Sequence, residues 1–140
     1  MDVMINYWAV LLAALSSMVV GTIWYGPLLG KQWMKLSGVE KVPQTKRMPM
    51  GPYLGSLFIM ALLMAFVIAH VAFVANSFFN NSFLQDTLST AFWLWLGIAF
   101  TRTVSIDFSE SRPRTLILIN VGNQLATMLI MGLIIGLLPA

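Results

Sequence analysis

Four runs of this sequence carry no Asp, Glu, Lys or Arg, and they govern what the chain can fold into. Val3 to Gly30 is the first, Met48 to Gln85 the second, Thr87 to Thr101 the third and Thr115 to Ala140 the fourth. A helix that crosses a bilayer needs about 20 predominantly apolar residues. Only helices and closed barrels satisfy every backbone group in lipid, and runs of this length suit helices. The expected fold is an all-α membrane protein. Its four transmembrane helices fall at about 5–27, 52–75, 85–105 and 115–137, in one domain over 1–140. The segment before the first run has no basic residue, so that run reads as a retained span rather than a signal peptide.

Composition agrees. Hydrophobic residues make up 59% of the chain and charged residues 9%, where a soluble domain carries about 25% charged residues. So few charges could not cover a water-facing surface, which leaves lipid as the medium for most of the chain.

The placement of the basic residues gives direction. Lys31, Lys35, Lys41, Lys46 and Arg47 lie between the first two spans, and Arg102, Arg112 and Arg114 lie around the turn into the last. The N-terminus, the turn between the second and third spans and the C-terminus have no basic residue. By the positive-inside rule, loops 28–51 and 106–114 are cytoplasmic and both termini are outside. The expected location is the bacterial inner (plasma) membrane. Tyr7 and Trp8 at one edge of the first span, Trp24 and Tyr25 at its other edge, and Tyr53 at the start of the second suit the headgroup level.

Gly26-Pro27 is expected to end the first helix, because proline lacks a backbone donor and restricts the residue before it. In Leu28–Leu36, Leu29, Trp33 and Leu36 share one face and the lysines lie off it, a pattern for a short cytoplasmic helix on the membrane surface. Residues 37–52, rich in Gly and Pro, read as an irregular connector. Small residues at four-residue spacing, Ala13-Ser17-Gly21, Ala61-Ala65-Ala69 and Gly132-Gly136, supply close helix contact, within the chain or between copies. Residues 76–85 read as a short polar loop.

Candidate chemistry is sparse. The chain has no cysteine and one histidine, His70. Thiol chemistry, disulfides and a multi-histidine metal site in one chain are thereby excluded. No catalytic set and no nucleic-acid surface can be assembled, so neither an enzyme nor a cofactor is expected. The informative feature is a polar stripe on the last helix, Asn120, Asn123, Gln124 and Thr127, at i, i+3, i+4 and i+7. Amides at that depth are costly against lipid and must face protein or water. Counting residues along the helices brings Thr22, Tyr25, Thr101 and Arg102 to the same level. The stripe is either interhelical glue or the lining of a pocket. Arg102 is expected to reach the headgroups or to pair with Asp107 or Glu110. His70 reads as a hydrogen-bonded residue or a proton-sensitive one.

Two stretches resemble a known family. One is Gly21-Thr-Ile-Trp-Tyr-Gly-Pro-Leu-Leu-Gly-Lys-Gln-Trp-Met-Lys35. The other is Trp95-Leu-Gly97, with Phe108, Glu110, Arg112 and Leu118-Ile-Asn120-Val-Gly122, running on to Met131-Gly132. These are similar to the family of domain of unknown function 1761, small four-span membrane proteins. The resemblance implies that fold, assigns no activity, and singles out Trp24, Tyr25, Pro27, Trp33, Arg112, Asn120 and Gly122. Gln124 and His70 lie outside its pattern. The function expected is a small membrane protein, open to homo-oligomerisation, with a polar pocket in its cytoplasmic half: a channel, a carrier, or a lipid- or small-molecule-binding protein. The alternative is an accessory subunit docking another membrane protein.

Overall fold

The computed structural model describes residues 2–140 as a set of helices, with no strand among them. Helix α1 spans Tyr7–Ile23 and runs into a π-helical turn, Trp24–Leu28. Helix α2 spans Gly30–Ser37, α3 Met50–Phe79 and α4 Phe83–Leu94. A second π-turn, Trp95–Phe100, joins α4 to α5, Thr101–Ser109, and α6 spans Arg114–Leu137. Three helical stretches are long and apolar enough to cross a membrane: Tyr7–Leu28, Met50–Phe79 and Arg114–Leu137.

Local signals set the boundaries. Asn6 caps α1, its Oδ1 accepting from the backbone N–H of Trp8 at 3.1 Å and of Ala9 at 3.4 Å. Gly26-Pro27 does not end the helix as expected. The turn widens instead, and Leu29 N donates to Trp24 O, five residues back, at 3.0 Å. An i→i+5 turn accommodates a residue that cannot donate. The break falls at Leu29, and α2 follows at Gly30. A Cβ at Gly30 would lie 2.4 Å from the Tyr25 carbonyl oxygen, so this fold-back requires glycine. The connector holds two short 3₁₀ turns, Val39–Lys41 and Gln44–Lys46. At the far end α3 runs four residues past the expected boundary, and Asn80 closes it in the left-handed region at φ 56°. Only residues 80–82 are left outside helices there, so most of the expected loop is helical.

Packing divides the bundle into two halves. In the half nearer the termini, Ala9, Ala13, Ala14, Ala61, Ala65, Ala69, Ala91, Met131 and Ile135 are buried together. A Cβ at Gly136 would lie 2.3 Å from Thr87 Oγ1 and 2.8 Å from Leu84 Cα; one at Gly132 would lie 3.0 Å from Thr87 O. The glycine pair therefore packs α6 against α4 within the chain, by the close backbone approach that membrane helices favour. Asp86 is 4% exposed. Its carboxylate accepts from Asn76 Nδ2 at 2.9 Å and Asn81 Nδ2 at 3.1 Å, locking the turn between α3 and α4. Asn6 Nδ2 donates to Leu138 O at 3.2 Å and ties the two chain ends together.

The opposite half, which carries every basic residue, packs differently. From Met50 to Met60 every residue of α3 except Phe58 is exposed, on all sides of the helix. Nothing lies within 4 Å of a Cβ at Gly51 or Gly55. The first third of α3 is thus exposed around most of its circumference.

Candidate functional site at the basic end

Two tryptophans grip α6 in the basic half. Trp24, the first residue of its π-turn, donates its indole N–H to Ile119 O at 3.0 Å. Trp95, the first residue of the other, donates to Val121 O at 3.0 Å. Side chains two residues apart on a helix point to nearly opposite sides, so α6 is held from two directions at one depth. A Cβ at Gly122 would lie 3.1 Å from Trp24 Cζ2, which explains why this position is bare.

The polar stripe is partly spent inside the chain. Tyr25 O–H donates to Asn120 Oδ1 at 2.9 Å. Gln124 Nε2 donates to Thr103 Oγ1 at 2.9 Å, and the Thr103 hydroxyl lies 3.3 Å from Gln124 Oε1. Asn123 is the exception, because its Nδ2 is buried without an acceptor. Thr127 is half-buried. Thr22 and Arg102 do not join the stripe. Thr22 is exposed and turns its hydroxyl back to Met18 O at 2.7 Å, and Arg102 is exposed. Residue counting fixes depth along a helix and leaves the direction around it open.

Trp33 stacks edge-on against Tyr25, with ring centroids 5.2 Å apart. The apolar side of α2, with half-buried Leu29, Trp33 and Leu36, is turned toward the protein, while Lys31 and Lys35 are exposed. Arg112 pairs with Glu110 at 2.7 Å and lies 3.8 Å from Asp107. Asp107 is 6% exposed, and its Oδ2 has no hydrogen-bond partner. Pro27 sits inside the π-turn and is exposed. His70, in the other half, stacks on Phe66 at 4.8 Å with Nδ1 buried and unpartnered.

Sequence reasoning missed Thr103 and Trp95 as partners of α6, and missed that the carboxylates of Asp86 and Asp107 are buried. One signal was available: Trp-x-Gly occurs at Trp24-Tyr25-Gly26 and again at Trp95-Leu96-Gly97, and both copies open π-turns. Chemically the site offers amides, hydroxyls and indoles, which hydrogen-bond. Among the described residues no three His, Asp or Glu side chains come together.

Fold and site define an all-helical protein with membrane-grade helices, fastened at its basic end by aromatic and amide hydrogen bonds. The chain belongs to the family described as protein of unknown function, DUF1761, whose model matches residues 8–136. That span takes in both tryptophan clamps, the polar stripe and the glycine pair of α6. No curated protein and no solved structure matches the chain.

Proposed function

We propose that this chain is a four-span protein of the bacterial inner membrane that holds an anionic lipid against the first third of α3. The fourth span is α4, its π-turn and α5, running in sequence from Phe83 to Ser109. At about 1.5 Å per residue it is about 40 Å long, enough for a hydrocarbon core of about 30 Å. Both termini are outside, and α2, its connector and the α5–α6 turn are cytoplasmic.

The observation that carries the lipid reading is a coincidence of place. The uncovered third of α3 lies at the end of the bundle that holds all eight basic side chains. Leu54, Leu57 and Met60 offer exposed apolar surface for an acyl chain. Exposed Lys31 and Lys35 offer charge to a headgroup phosphate. Juxtamembrane basic residues each contribute about 1 kcal/mol toward an anionic leaflet. The polar stripe supports this reading over a conduit, since Asn120 and Gln124 spend their hydrogen bonds on Tyr25 and Thr103.

The test is lipid retention through detergent extraction, followed by native mass spectrometry with equal phosphatidylglycerol and phosphatidylcholine. The expected result is preferential retention of phosphatidylglycerol, lowered severalfold in the Lys31→Gln, Lys35→Gln double variant. Equal retention of the two lipids contradicts the proposal.

A second reading has its own observation. Gly51 and Gly55 form an open small-residue pair suited to close approach of another helix. An accessory role would show as a crosslink from Gly55→Cys to a defined second membrane protein.

A further inference from the structure

The two π-turns are built alike but end differently. Single π-turns inside α-helices are frequent at functional sites. The turn at Trp95–Phe100 passes straight into α5, and α5 is fastened to α6 through Thr103 and Gln124. It is a fixed kink. The turn at Trp24–Leu28 contains Pro27, which lacks a donor, and runs into the non-helical Leu29 and the glycine fold-back at Gly30. Beyond it lies α2, packed on the π-turn and α6. Two adjacent side chains fasten this arm to α6: Trp24 through Ile119 O, and Tyr25 through Asn120.

We propose that the Trp24–Ser37 segment is a hinged arm, swinging about its π-turn to open and close the space beside the uncovered third of α3. The present position is held by the Trp24 and Tyr25 bonds. A second position is marked by Asn123. This amide stands on the same stripe three residues beyond Asn120, with its Nδ2 buried and unpartnered. A buried donor without an acceptor is a cost that another arrangement can remove. The Tyr25 hydroxyl donates to Asn120 and keeps an acceptor lone pair free. Moving the arm along the stripe lets that oxygen accept from Asn123 Nδ2. The exposed first third of α3 leaves room for the movement. The inference rests on the lipid reading only for what the space beside α3 holds.

The chain has no native cysteine, so introduced labels are unique. The full chain, spin-labelled at Lys35→Cys on α2 and Leu54→Cys on α3, is placed in phosphatidylcholine nanodiscs and the distance distribution is read by double electron–electron resonance. Two maxima are expected. Trp24→Phe removes the donor that holds the present position and raises the second population about fivefold, the effect of one ordinary hydrogen bond. Asn123→Leu removes the group that rewards the second position and lowers it by a similar factor. Asn123→Leu takes away no hydrogen bond of Nδ2 present here, so it keeps the test alive if Trp24→Phe fails to fold. A single maximum, or populations that the foldable variants leave unmoved or shift the wrong way, overturns the hinge. The measurement contains no anionic lipid, so a failure of lipid binding and a failure of the hinge are read separately.

Discussion

The half of the bundle that holds the termini and the half that holds the basic loops solve the same packing problem with different parts. Near the termini, alanines and glycines let backbones touch, and a buried Asp86 with two asparagine amides locks the α3–α4 turn. Near the loops, bulky aromatics reach across and hydrogen-bond to α6 carbonyls, and the first third of α3 is left exposed. Small-residue contact has no moving part. Indole and phenol hydrogen bonds can be exchanged for others. The difference teaches where to look for activity: the first half is scaffold around one unfastened polar group, His70 Nδ1, and the second holds two, Asn123 Nδ2 and Asp107 Oδ2, beside its exchangeable hydrogen bonds.

Substitutions in the two halves should sharpen or break that contrast, read as unfolding free energy in mixed detergent–SDS micelles. The largest loss is expected at Gly136→Val. Its added atoms meet Thr87 and the Leu84 backbone, and overpacking of this kind costs about 3 kcal/mol. Asp86→Ala should follow. It removes the two hydrogen bonds that Asn76 and Asn81 make to a buried carboxylate, at about 2 kcal/mol. Trp24→Phe in the basic half should cost about 1.5 kcal/mol, the worth of one hydrogen bond and of part of the indole's packing on Gly122. Gly55→Leu should stay within about 0.5 kcal/mol, because it meets open space. A Gly55→Leu loss as large as that at Gly136 would abolish the distinction between the halves.

Much of this was legible in the sequence, for physical reasons. The absence of charge over long runs marked the helices, because lipid tolerates nothing else. Tyr25 and Asn120 were placed at one level by rise per residue alone, and they bond. Depth was readable and direction was not: Thr22 and Arg102 share the level of the stripe by residue count, and both are exposed. Pro27 was read as a terminator because a missing donor ends an α-helix. A π-turn absorbs it with one extra residue, and no periodicity announces that. Residues 76–85 read as a loop, with Asp86 just inside the next expected span. Only Asn76 in the last turn of α3 and Asn81 within the three-residue turn make it a buried lock.

The central proposal is that α4, its π-turn and α5 together cross the membrane, with the basic loops on the cytoplasmic side. Single cysteines at Gln44, Asn81 and Ser111, probed on intact cells with a membrane-impermeant maleimide, test this directly in a chain with no cysteine of its own. Labelling of Asn81→Cys on intact cells, and of Gln44→Cys and Ser111→Cys only after lysis, is the predicted result. Labelling of Asn81→Cys and Ser111→Cys from the same side would mean that this segment does not cross, and would contradict the account.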